Sequence, residues 1–219
     1  MLKSLRWVSL GTWLALLAVA FLTSPPSDPN TLEQVKGILV GRIAGVNTSF
    51  LALFTLMGVW PLIFIVLLAF DSTDQKVWRW PFVLGAFALG SFVLLPYLVL
   101  RRWGAPRRDP NRGWLRLLGS RWVALLLTLE AAALLAVFFF AEHAAFAQLF
   151  HRDQFTYVMF FDFVACTVAG LLLTLEDVFL RPTSPSWAWA LLSAVGVPLR
   201  LVFAPLSKPA LREMKEHEF

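Results

Sequence analysis

The sequence predicts an all-α polytopic membrane protein with about six transmembrane helices and one short interfacial helix. Three observations predict it. Of 219 residues, 58% are hydrophobic and only 15% charged, which departs from the balance of a soluble globule. Apolar runs near the ~20 residues needed to cross a ~30 Å hydrocarbon layer recur along the whole chain. None shows the two-residue alternation of a membrane barrel, so each must satisfy its backbone hydrogen bonds as a helix.

The expected spans are residues 7–22, 49–70, 81–100, 121–141, 156–175 and 187–206, forming one transmembrane domain over 1–206 with a charged tail at 207–219. The first run follows MLKSLR and ends near Ala18-Val19-Ala20, a pattern that fits a retained signal anchor and a cleavable secretory signal alike. SPPSDPN is a loop in either case. Residues 31–46, TLEQVKGILVGRIAGV, start with capping-type residues and are too short and charged to span, so they are expected to lie along the interface. Gly37, Gly41 and Gly45 recur every four residues, which on a helix makes one bare seam for a neighbour to approach.

With six spans, both termini share a side. That side collects eight Lys and Arg and the opposite side ten, the last basic residue being Arg200 within the sixth span. The positive-inside rule hardly separates these numbers. The loop 101–120, with Arg101, Arg102, Arg107, Arg108, Arg112 and Arg116, is the densest basic segment and is expected to stay on the cytoplasmic or stromal side. It is either a topology signal or a contact for anionic headgroups and acidic partner surfaces. No nucleic-acid-binding module accompanies the charge, so nucleic acid is excluded as a partner.

Three charges lie inside the apolar runs. Asp162 in YVMFFDFVACTVAG and Arg200 in the sixth span each fall six residues from the same surface, ~9 Å deep, and are expected to form an intramembrane ion pair. The other reading has Arg200 reaching to the headgroups. Glu130, nine residues past Arg121, sits near the midplane at ~13 Å with no basic residue at its level. It is read as a polar tie between helices, with a proton or cation relay, or a donor to a bound cofactor, as the alternatives.

Chemistry-bearing motifs are otherwise missing. No Walker loop, nucleophile elbow, HExxH or paired CxxC occurs, and the single Cys166 supports neither an intramolecular disulfide nor a multi-thiolate metal site. No catalytic residue and no metal site is predicted. His143 and His151 lie at the membrane edge, where imidazole is ordinarily solvated and would alternatively ligate a pigment magnesium or a metal.

The runs LFTLMGVWPLIFIVLLAFD, WPFVLGAFALGSFVLLPYLVLR, SRWVALLLTLE and YVMFFDFVAC together resemble a poorly characterised multi-span membrane protein family of cyanobacteria and chloroplasts. The resemblance implies a thylakoid or cyanobacterial plasma membrane. It implies a noncatalytic accessory, assembly or peripheral subunit beside a photosystem or its assembly intermediates, with chlorophyll, carotenoid or lipid at the contact. The alternative is a small proton- or ion-coupled transporter using Glu130.

Overall fold

The structure is a computed structural model that describes residues 2–71, 75–105, 113–141 and 143–180. The predicted sixth span, Arg200, Arg107, Arg108, Arg112 and the tail 207–219 lie outside the described residues. All regular structure among the described residues is helical: α1 (Leu2–Ala18, continued by a π-helical turn Val19–Thr23), α2 (Pro29–Leu39), α3 (Thr48–Ala69), α4 (Trp80–Leu89), α5 (Ser91–Leu100), α6 (Gly113–Leu118), α7 (Arg121–Phe140), α8 (His143–Arg152) and α9 (Gln154–Leu180). Four helical segments, Ser4–Thr23, Thr48–Ala69, Arg121–Phe140 and Gln154–Asp177, are long and apolar enough to cross a membrane, which suggests an integral membrane protein.

The third predicted span is corrected. Residues 81–100 do not form one crossing, because Gly90 adopts φ +53°, ψ −134° and the chain turns back on itself there. Phe82 in α4 and Tyr97 in α5 have ring centroids 5.6 Å apart, although fifteen residues of continuous helix would separate them by ~22 Å. A Cβ at Gly85 would lie 3.0 Å from the Val93 side chain, so the absence of one lets the two arms close. The pair is a re-entrant helical hairpin, each arm ten residues or ~15 Å long, half the depth of the hydrocarbon layer.

Helix α1 runs antiparallel to the second arm. Arg6 Nε donates to the Val99 carbonyl at 2.6 Å and Trp13 Nε1 to the Phe92 carbonyl at 3.1 Å. Helices α3 and α9 complete the wall around the hairpin, with Trp60, Phe64, Ile63, Leu94, Leu95, Cys166 and Ala169 in the central core. A smaller core of Phe50, Leu53, Phe146 and Met159 lies under α2 and α8.

This topology sorts the loops differently from six crossings. The N-terminus, both ends of the hairpin, α6, the start of α7 and the end of α9 share one face, called here the N-terminal face. Helices α2 and α8 lie on the other, the α2 face. Arg6, Lys76, Arg79, Arg101, Arg102, Arg116 and Arg121 belong to the N-terminal face, against Lys36, Arg42 and Arg152 on the α2 face. Among the described residues the basic side chains are therefore biased to the N-terminal face, as on a face that is not translocated.

The glycine seam is also corrected. Asp28 caps α2 by accepting the Asn30 N–H at 2.8 Å, Pro29 starts it, and the helix ends at Leu39. Gly41 (φ +84°) and Gly45 (φ +78°) lie in the turns beyond it, and a Cβ at either would meet nothing within 4 Å. Their role is left-handed backbone in a tight connection. Gly37 alone remains helical, with Arg42 3.7 Å from where its Cβ would be.

Candidate functional site

The tip of the hairpin is where an apolar sequence places a polar problem. Helix α5 begins at Ser91 inside the protein, so its first N–H groups have no partner in their own helix. Asp162, eight residues into α9 and so ~12 Å from its start, supplies the cap. Its Oδ1 accepts the Ser91 N–H at 2.8 Å and also the Ser91 hydroxyl. A negative group at a helix N-terminus is favoured by the dipole as well as by the bond. A Cβ at Gly90 would overlap the carboxylate, so glycine is required there by both φ and space.

Asp162 is 6% exposed, and Oδ2 has no hydrogen-bond partner among the described residues. Asp162 lines a cavity of about 400 Å³ together with Ala86 to Gly90 and Phe54, Met57, Gly58, Phe155 and Met159. A second cavity of about 610 Å³, lined by Ala20, Asp28, Thr31, Asp153 and Gln154 near the α2 face, shares Leu89, Phe92, Phe155 and Val158 with the first. The two therefore adjoin, and their apolar lining runs from the α2 face to the tip.

The opposite end is closed by a buried charge cluster. Arg101 Nη2 lies 2.5 Å from Asp71 Oδ1 and 2.9 Å from Glu176 Oε2, with all three side chains at most 5% exposed. Tyr97 donates its hydroxyl to Asp71 Oδ2 at 2.6 Å, and the Gly104 N–H donates to Glu176 Oε1 at 2.7 Å. Trp103 places its ring 4.6 Å from the Arg101 guanidinium carbon, a favourable cation–π distance. Arg79, whose Nη1 donates to the Asp71 carbonyl at 3.4 Å, is buried at the same end.

At the α2 face, Asp153 joins three elements. Its Oδ2 accepts from the Thr156 N–H (2.8 Å) and hydroxyl (2.7 Å), capping α9, while Oδ1 accepts from Thr31 Oγ1 (2.8 Å) and the Asp28 N–H (3.4 Å). Burial alone would raise its pKa, but these hydrogen bonds outweigh burial and hold it below the usual carboxylate value.

The predicted site residues are distributed as follows. Asp162 is buried and held by Ser91; Arg200, its expected partner, lies outside the described residues. Glu130 is on the exposed side of α7 and lines neither cavity. Arg101 turns into the protein, whereas Arg102 and Arg116 are exposed. His143 is exposed with Nε2 3.0 Å from the Phe139 carbonyl, and His151 is exposed against Phe150. Among the described residues no three His, Cys, Asp or Glu side chains converge as a metal site.

Sequence reasoning missed Ser91, Gly90, Asp71, Tyr97 and Glu176. A signal was present for the last cluster: the runs end in AFD, VLR and TLED, with opposite charges at successive ends. Comparison of the chain with protein families, curated proteins and solved structures finds no match.

Proposed function

We propose that the protein is a small ion- or proton-coupled membrane carrier whose working centre is Asp162 at the re-entrant tip. One observation carries this reading: a carboxylate only 6% exposed, held by Ser91 and lining an apolar cavity at the hairpin tip. Ionisable groups within membrane helices are costly and mark substrate or ion paths. Half-helices ending near the midplane are a recurrent way to build such sites in carriers. The buried Asp71, Arg101 and Glu176 cluster supports a closed opposite side.

The reading moves the working carboxylate from Glu130 to Asp162. The test is flux of protons into vesicles reconstituted with the purified full chain under an imposed gradient. Asp162→Asn is expected to abolish flux and Glu130→Gln to leave it near wild type. The reverse pattern would return the role to Glu130.

A second reading is favoured by α7. Trp122, Leu126, Leu129, Phe139 and Phe140 are exposed on it, and Glu130 is exposed in its middle, where a charge facing lipid costs ~2.5–3.5 kcal/mol. A covering surface would relieve that cost. This supports a subunit role in a larger membrane complex, for which the family resemblance suggests a photosynthetic membrane with pigment or lipid at the contact. Native separation after mild solubilisation tests it: co-migration with a larger complex is expected, and a lone particle would count against it.

A further inference from the structure

We infer that the cavity at the hairpin tip binds a hydrophobic organic cation, an amine with an apolar body, by its ammonium group at Asp162. The inference rests on the carrier reading of the same site and names its cargo.

The chemistry of the walls selects this class. Phe54, Phe87 and Phe155 with Met57 and Met159 line the cavity. Aromatic faces attract cations as well as hydrocarbon, and methionine adapts to irregular apolar shapes. The polar element among them is the unbonded oxygen of Asp162. Beside it is the end of α4, whose last carbonyls have no partner in their own helix and carry the negative end of its dipole. An N–H₃⁺ group has three donors and no acceptor, which suits the Asp162 carboxylate and the carbonyls that end α4, while Asp162 caps the neighbouring start of α5.

Competing ligands fit less well. A hard divalent cation takes six or more oxygen ligands, and no convergent acidic group is present among the described residues. An anion would face Asp162 across apolar walls. A neutral lipid chain would fill the cavity and leave the carboxylate without a donor from the ligand.

The amine also has a way in. The second cavity continues the apolar lining to the α2 face, where Asp28, Asp153 and Gln154 stand at its edge and present acceptors to an arriving cation. Helix α2 borders this entrance through Thr31, Leu32 and Val35 and has no fully buried residue of its own, although Val35 and Ile38 also pack on the smaller core.

The test is binding of 4-phenylbutylamine to the full chain in detergent, measured by calorimetry, beside the neutral isostere 4-phenylbutanol. The amine is expected to bind at least about tenfold more tightly than the alcohol, the scale of one charge-assisted hydrogen bond. Asp162→Asn is expected to erase that preference. Because Asp162 also holds Ser91, a second variant guards the result: Gly58 lines the cavity and a Cβ there meets nothing within 4 Å, so Gly58→Leu should fold and block the amine by occupying its space. Equal affinity for amine and alcohol would overturn the proposal, as would unchanged amine binding in both variants. Amine binding without vesicle flux would uphold the site and remove the carrier reading, whereas flux without amine preference would remove the cargo alone.

Discussion

Asp162 and Glu176, both buried on α9, stand fourteen residues or ~21 Å apart and are treated in opposite ways. Glu176 has both oxygens engaged, one by the Gly104 N–H and one by Arg101, within a cluster that also holds Asp71 and Tyr97. Asp162 is bonded through one oxygen, to Ser91, and lines a cavity. A fold able to set a cation beside a buried acid does so at its closed end and, among the described residues, not at its tip. The compensated end is built to hold; the uncompensated tip is built to receive.

The largest expected effect is at the tip's backbone. Gly90→Ala would drive a methyl into the Asp162 carboxylate and impose a side chain at φ +53°, and we expect loss of the folded state, more than about 4 kcal/mol. Pairing it with Asp162→Gly removes the overlap and should restore part of the loss, leaving about 1–3 kcal/mol of backbone strain, about 1 kcal/mol for the lost Ser91 cap and about 1 kcal/mol for glycine within α9. Thermal unfolding in detergent of the single and double variants measures both. A stable Gly90→Ala protein would mean that the hairpin does not turn there.

Next comes the closed end. Arg101→Met strands Asp71 and Glu176 without their cation and should cost about 3–5 kcal/mol. Asp162→Asn keeps an oxygen able to accept from Ser91 and should cost only about 1–2 kcal/mol, while abolishing flux. If the asparagine variant proved the less stable of the two, the distinction between a holding end and a receiving tip would fail.

These two regions also mark what the sequence could and could not disclose. Class was legible because it depends on run length and composition, and α3, α7 and α9 fall where hydropathy places them. The hairpin was hidden for the same reason. WPFVLGAFALGSFVLLPYLVL is uniformly apolar, and twenty such residues satisfy a crossing as well as two half-crossings. Only the dihedral angles of Gly90 and the close approach at Gly85 distinguish them, and neither is written in hydropathy. With the third run taken as a crossing, Arg101 was assigned to the face opposite Asp71, so their pairing could not be foreseen. Asp162 was legible as an anomaly in its run. Its partner was not, because a serine N–H at a concealed helix start carries no charge to match. The glycine seam failed through a different omission, since a four-residue spacing indicates a helix face only if the helix continues, and α2 stops at Leu39.

The smallest effect concerns how the passage is covered at the α2 face. Asp153 ties α2 to α9 through Thr31, Asp28 and Thr156, and replacing it by alanine removes a helix cap worth about 1 kcal/mol. Its lowered pKa also gives the tie a pH dependence of definite sign. A carboxylate held below its unfolded value contributes stability that is complete above about pH 4 and is lost as pH falls through the lower folded value. Amide hydrogen exchange in α2 should therefore be flat from pH 8 to 5, after correction for intrinsic rates, and rise in excess below about pH 4. In Asp153→Asn the excess should be smaller, since the amide carries no titrating proton. An excess of equal size in the variant would show that α2 is held by some other acid. The tip's entrance would then be governed independently of the residue that caps α9.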